Sequence, residues 1–406
     1  MPGPAVQEQL QPSELASTST STSTPLPHGS EHVALIGVGA IGISFLALHL
    51  TYTAARVSVF DPRPDLQEHV AAILPLYLPS PSSTTGASSA SASASASASG
   101  GLEAEGGELS VEKLVSSGRL RFCSTLREAV QNATIVQEQG PENLSFKQRT
   151  WSEVLRHVSP QTHLWSSTSG IPASQQLKHL TTTSTETTAS GPSPTTATVP
   201  SDSDLSEETK SSAHSRLLIV HPFNPPHLMP LLEIVPSPHT SPTSTGFART
   251  YFSQLSSVHR PITIARETAG FVANRLAFIL FREACHLVRS GVCTVADMDE
   301  IVRASLGPRW AVAGPFKMYN FGGGARGMAG FLDNIGESID GVWRDAGELS
   351  MDDDEWKDAV IKQCAQAYGV PSPEDIRKRD RGLKAVVRVQ DELEQEQGQG
   401  QGQKLP

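Results

Sequence analysis

His221 and Glu233 are the residues whose types and spacing carry chemistry most directly. They lie in the stretch His221–Val235, HPFNPPHLMPLLEIV. Glu233 stands among Leu231, Leu232, Ile234 and Val235. A carboxylate in such a run is costly to bury without a partner. The nearest candidate partner is a histidine, and an imidazole held by a carboxylate makes a general base near neutral pH. Asn224 follows the histidine within a proline-rich turn.

A second set lies upstream, in His32–Asp61. Val33-Ala34-Leu35-Ile36 is a short apolar run, as expected of a buried parallel strand. Gly37-Val38-Gly39-Ala40-Ile41-Gly42 follows as GxGxxG, then a helical segment, then a second strand that ends at Asp61. Gly37 suits a tight turn, Gly39 lets the backbone approach a pyrophosphate, and Gly42 lets the helix pack on the strand. The helix start, with Ala40 and Ile41, offers free N–H groups and a positive dipole end to phosphates. Asp61 falls 19 residues after Gly42, where an acid accepts hydrogen bonds from adenosine ribose hydroxyls. Together these features predict a dinucleotide site. Asp61 favours NAD over NADP because a carboxylate repels a 2′-phosphate, while Arg63 pulls the other way.

The elements that must position these groups read as α/β. Ala133–Gln137 and His163–Ser167 are strand candidates, and Ser145–His157 reads as a helix. Arg216–Val220 is a strand that delivers His221. Glu142, Ser169 and His221 then lie just past strand ends, where ligands sit in open parallel sheets. The pattern changes near Glu267. From Thr268 a long helix is predicted, with Val272, Leu276, Ile279, Leu280, Ala284 and Leu287 at helical spacing and Gly291 as its C-cap. That stripe is core or a subunit interface. Asn274 is a polar exception near the helix start, either a cap or a group reaching back to the crevice. Thr294 and Asp297 form a capping-box pattern for the next helix, which is expected to end at Gly307.

The expected organisation is therefore an α/β Rossmann-type doubly wound parallel sheet followed by an all-α C-terminal domain. Residues 1–29 are expected to be disordered, 30–266 to form the nucleotide domain, and 267–383 the helical domain. Residues 384–406 are expected to be a flexible tail. Low-complexity tracts at about 80–107 and 181–213 interrupt the first domain, and neither can bury enough apolar surface to offset its ordering entropy.

Composition excludes several classes. The 406-residue chain carries a net charge of −10 without a concentrated basic patch, which argues against nucleic acid or an anionic membrane surface as partner. Its four cysteines show no metal-ligand spacing and suit a reducing compartment. No apolar run approaches the ~20 residues of a membrane span. The N-terminal residues lack the basic start of a signal peptide and the arginines of a mitochondrial presequence, so a cytoplasmic location is expected. Gly322-Gly323-Gly324 has no preceding strand and no following Lys-Ser/Thr, so it does not read as a phosphate loop.

GVGAIG with Asp61, PENLSFK, STSG, HPFNPP…LLEIVP, ETAGFVANRL and LGPRWAVAGPF occur in this order. Together they resemble the L-3-hydroxyacyl-CoA dehydrogenase superfamily, most closely its lambda-crystallin branch, whose activity is L-gulonate 3-dehydrogenase. Similar segments occur in carnitine dehydrogenases. The resemblance covers about 32–75, 115–180 and 215–345. It implies NAD as cofactor, His221 as catalytic base and Glu233 as the residue that orients it. It also implies that Ser169, Asn224 and Asn274 serve the reacting oxygen, and that Glu142 and Lys147 line the NAD site. A homodimer built through the helical domain is a further implication.

Two departures bear on the substrate. Ser167 stands where hydroxyacyl-CoA enzymes often carry Asn. Ser80–Gly107 replaces much of the region that forms their CoA-contacting helical arm, without its basic residues. A small free hydroxy acid is therefore favoured over an acyl-CoA thioester, with oxidation of a secondary 3-hydroxy group as the reaction. A 3-hydroxyacyl-CoA or carnitine substrate, or a non-enzymatic nucleotide-binding role, are the alternatives. Arg309 and Trp310 are candidates for a substrate carboxylate.

Overall fold

The structure is a computed structural model that describes residues 28–78, 109–180, 204–255 and 259–401. Eight strands form one sheet. They are β1 (His32–Ile36), β2 (Arg56–Phe60), β3 (Leu120–Phe122) and β4 (Ile135–Glu138), then β5 (His163–Ser166), β6 (Leu217–Pro222), β7 (Leu231–Pro236) and β8 (Arg260–Thr263). Their spatial order is β3-β2-β1-β4-β5-β6-β7-β8. Every neighbouring pair is parallel except β6 and β7. The sequence runs outward from β1 in one direction and from β4 in the other, so a crevice opens beyond their carboxyl ends.

Both faces of the sheet are covered, and the strand period assigns residues to them. Val33 and Leu35 pack on one face with Leu46, Leu50 and Phe252, while Ala34 and Ile36 pack on the other with Trp151 and Val154. The helix Ala40–Tyr52 is buried from Gly42 through Leu50, as a helix that is apolar all round must be. The helices Leu66–Tyr77, Leu144–Leu155 and Pro242–Ser253 complete the layers. Beyond Phe271 every described element is helical, in seven α-helices from Ala273–Arg289 to Pro373–Gln401.

Element types follow the sequence closely, with four differences. The long helix begins at Ala273 rather than Thr268, because Gly270 and Phe271 adopt φ of 70° and 51° and turn the chain first. The stripe along that helix is not a core: Leu276 is 64% exposed and Ile279 51%, while only Cys285 and Val288 are buried. The end of the second low-complexity tract is ordered as the helix Glu207–Arg216. Ser206 accepts the Thr209 N–H, Glu207 and Glu208 lie in the first turn, and Arg216 donates to the Thr162 carbonyl. The tail is helical as far as Gln401. Arg260 pairs with Asp391 and Glu394, Gln390 donates to the Ala311 carbonyl, and Val387 is buried. The expected disordered segment 1–29 lies almost wholly outside the described residues, as does the Ser/Ala tract.

Candidate active site

The antiparallel step from β6 to β7 builds the central pair. In that ladder His221 and Glu233 stand directly opposite each other, and Nδ1 lies 2.8 Å from Oε2. Both side chains are almost fully buried, at 3% and 2% exposure. A carboxylate only accepts, so Nδ1 carries the proton. The Asn274 amide nitrogen lies 3.3 Å from Nε2 and only donates. The two neighbours together suit the tautomer with its proton on Nδ1 and its lone pair on Nε2. The ring of Phe271 packs beside it, with centroids 5.1 Å apart.

Glu233 has a second set of partners. Its Oε1 accepts the backbone N–H of Val272 at 3.0 Å and of Ala273 at 3.1 Å. Those groups open the Ala273–Arg289 helix, where unsatisfied N–H groups and the helix dipole favour an anion. One carboxylate thus holds both the histidine on the sheet and the first helix of the C-terminal region. The partner predicted for Glu233 from the apolar run is present, and the helix start is an addition the sequence did not signal.

Ser169 is exposed at the end of β5, and Asn274 donates to its backbone carbonyl at 3.2 Å. It does not cap the following short helix, whose N-cap is Pro172. Glu142 grips this loop from the neighbouring turn, accepting from the Thr168 hydroxyl and from the Gly170 N–H at 2.9 Å. His221, Glu233, Asn274, Ser169 and Glu142 therefore converge. Asn224 does not join them through any described hydrogen bond; it lies exposed in the β6–β7 turn.

Lys147 is placed differently from its expected position on the wall of the cofactor site. Its ammonium has no exposure and bonds both oxygens of Glu138 at 3.0 Å and the Gly140 carbonyl at 3.4 Å. It lies beneath the turn that carries Glu142, 4.0 Å from that carboxylate. Glu138 also accepts from Ser166 and the Gly140 N–H. Burial pushes the Glu138 carboxyl up, and Lys147, Ser166 and Gly140 oppose that shift. Sequence reasoning missed Glu138: it ends the strand β4, whereas the signal that picked out Glu233 was an acid inside an apolar run. It also missed Phe271, which no spacing betrays.

The cofactor crevice fits a dinucleotide. Gly37 has φ of 90°, and a Cβ there would meet Gln139 backbone atoms at 3.1 Å. A Cβ on Gly42 would lie 2.0 Å from the Gly37 carbonyl oxygen, whereas Gly39 faces open space. Gly39, Ala40 and Ile41 thus form an unobstructed helix start, and no side chain caps it. Asp61 stands at the end of β2, with Oδ2 accepting the Val38 N–H at 2.7 Å. Among the described residues no group of His, Cys, Asp and Glu could hold a metal ion.

Arg309 and Trp310 part company. The Arg309 guanidinium lies over the Tyr319 ring, while Trp310 lines a cavity of about 420 Å³ with Pro230, Arg260 and Lys317.

A doubly wound sheet with a glycine turn, an acid at the end of β2 and a carboxylate-held histidine fits an NAD-dependent oxidoreductase. The model of the 3-hydroxyacyl-CoA dehydrogenase NAD-binding domain matches residues 32–190 and 193–267, and that of the C-terminal domain matches 270–350. The chain belongs to the 3-hydroxyacyl-CoA dehydrogenase family. It is 32% identical to an L-carnitine dehydrogenase of Streptomyces coelicolor over 363 residues, 89% of this chain and 95% of that one. It is also 32% identical to an L-carnitine dehydrogenase of Streptomyces griseus, covering 92% of this chain and 94% of the relative. Among solved structures, an NAD⁺-dependent 5-formyl-3-hydroxy-2-methylpyridine 4-carboxylic acid 5-dehydrogenase shares the fold. Its TM-score is 0.59 at 22% identity, over 89% of this chain and 98% of that one.

Proposed function

We propose that the protein oxidises the 3-hydroxy group of a small free hydroxy acid, and that this acid is L-carnitine or a close analogue. The L-carnitine dehydrogenase relatives, which span nearly the whole chain, favour carnitine over the L-gulonate reading of the sequence. The observation that carries the chemistry is His221, held between Glu233 and Asn274 with its Nε2 lone pair available.

In this reading the substrate hydroxyl meets His221 Nε2, which takes its proton. Glu233 keeps the imidazole in the required tautomer and stabilises the imidazolium that forms. The Ser169 hydroxyl and the Asn274 amide hydrogen-bond the oxygen as it becomes a carbonyl, with Asn224 contributing from the turn. Glu142 holds the Ser169 loop in place. Bound NAD⁺ supplies the hydride acceptor, with Gly37–Gly42 at its pyrophosphate and Asp61 at its adenosine ribose.

We also assign the exposed apolar stripe of the Ala273–Arg289 helix to a homodimer interface. Leu276, Ile279 and Leu280 lie on one face of that helix and are 64%, 51% and 37% exposed on one chain, and an exposed apolar face of this kind is usually covered. Light scattering should give twice the chain mass. A cytoplasmic site of action suits the free cysteines; no helix among the described residues is long and apolar enough to cross a membrane.

The test is NADH formation with L-carnitine, D-carnitine, L-gulonate, 3-hydroxybutyrate and 3-hydroxybutyryl-CoA, with His221→Ala as control. Turnover of L-carnitine should dominate and should fall roughly 10²–10⁴-fold in the variant. Preference for L-gulonate would displace the carnitine assignment. Turnover of the thioester alone would displace the free-acid reading, and full activity in His221→Ala would remove the base.

A further inference from the structure

The end of the crevice at β2 carries an arginine beside the acid. β2 ends at Phe60, and Asp61 and Arg63 follow on the same turn. Asp61 is pinned by two backbone groups, the Val38 N–H at 2.7 Å and the Arg63 N–H at 3.0 Å. The Arg63 side chain is 31% exposed, and its Nε lies 3.4 Å from Asp61 Oδ1. That Nε is shielded from solvent and makes no hydrogen bond among the described residues. The contact is therefore a charge pairing, not a bidentate fork, and the guanidinium retains its donor capacity. Both residues line a cavity of about 410 Å³ with Pro62, Pro64, Gln67 and Ser124.

A 2′-phosphate on the adenosine ribose is a dianionic, multidentate acceptor. A carboxylate at the end of β2 repels it, and an arginine fork suits it. This chain holds both groups in one cavity, each neutralising the other. We propose that Arg63 is a latent 2′-phosphate site, held in check by Asp61, so that removal of the single Asp61 charge turns an NAD site into one that takes NADP. The proposal rests on the cofactor crevice and is independent of the substrate assignment. Glu68 lines the same cavity and remains as a residual opposing charge.

The experiment measures equilibrium binding of NADH and NADPH through the fluorescence of the bound reduced nicotinamide, with no substrate present. Asp61→Asn keeps an oxygen for the Val38 N–H, gives up the acceptor for the Arg63 N–H, and removes the charge. It should raise the NADPH-to-NADH affinity ratio by roughly 100-fold or more, as expected for one unit charge lost a few ångströms from a phosphate. Asp61→Asn with Arg63→Ala should lose most of that gain. The NADPH affinity of Asp61→Asn should also weaken with added salt, because an exposed charge pairing is screened. Equal NADPH affinity in the single and double variants would overturn the proposal, as would wild-type protein that binds both cofactors alike. Arg63→Ala alone leaves the Asp61 backbone contacts intact. It should lower the residual NADPH affinity roughly 10-fold, well beyond its effect on NADH; an equal effect on both would also overturn the proposal.

Discussion

At the scale of residues, the site depends on which atoms of His221 are already engaged. Nδ1 is committed to Glu233, and Nε2 receives only the donated Asn274 amide, a contact that a substrate hydroxyl can replace. Glu233→Gln removes the charge. The amide oxygen can still accept from Nδ1, but it no longer stabilises an imidazolium, and the amide NH2 then faces the Val272 and Ala273 N–H groups. Turnover should drop on the order of 10²-fold while NADH affinity stays within a few-fold of wild type. Steady-state kinetics paired with NADH fluorescence checks this, and unchanged turnover would mean that the carboxylate acts only as a strut. Phe271 sets the other wall of the imidazole. It is fully buried at φ of 51°, a backbone region that costs a non-glycine residue about 1 kcal/mol or more. The ring contact with His221 and the turn into the next helix both require that placement.

At the scale of elements, the buried Glu138–Lys147 pair ties the end of β4 to the Leu144–Leu155 helix, and so fixes the turn from which Glu142 grips the Ser169 loop. Lys147→Met leaves a buried carboxylate without its cation and should cost about 3–5 kcal/mol of stability. Glu138→Gln combined with Lys147→Met removes both charges and should recover a large part of that loss. Urea unfolding of the two single variants and the double variant checks this; additive losses would show that the pair is not coupled. The sequence disclosed these elements unevenly, for physical reasons. The glycine turn and its strands were legible because backbone sterics and the two-residue period leave few alternatives. His221 and Glu233 were legible because an acid in an apolar run demands a partner. The depth of Lys147 was not, because exposure depends on which helix covers the strand end. The Glu207–Arg216 helix and the C-terminal helix were hidden by Ser/Thr- and Gln-rich composition. Each is held by tertiary contacts, Arg216 to the Thr162 carbonyl and Arg260 to Asp391, that local propensity does not contain. The apolar stripe beginning at Val272 read as core or interface, and its exposure on one chain removes the first reading.

At the scale of the whole molecule, one buried and two half-buried histidines make the fold sensitive to acid. His49, His163 and His227 are each lowered to about 4, in every case mainly by burial. His49 has no exposure and joins two helices to the sheet: its Nδ1 lies 2.8 Å from the Tyr251 hydroxyl and its Nε2 2.9 Å from Gln137 Oε1. In the unfolded chain these imidazoles titrate near 6.5. Above that pH both states are neutral and the full stability is present. Between pH 6.5 and 4 the unfolded chain binds protons that the folded chain refuses, so stability falls as pH falls. For His49 the loss approaches about 3 kcal/mol across that window, while the partly exposed His163 and His227 contribute less. The urea midpoint of wild-type protein should therefore decline steeply from pH 7 to pH 5. His49→Gln removes the titrating group and keeps a polar side chain for Tyr251 or Gln137. It should be the less stable protein at pH 7, yet lose less on acidification, so the two stability curves converge. Parallel curves would exclude His49 as the main acid-sensitive group and shift that role to His163 and His227.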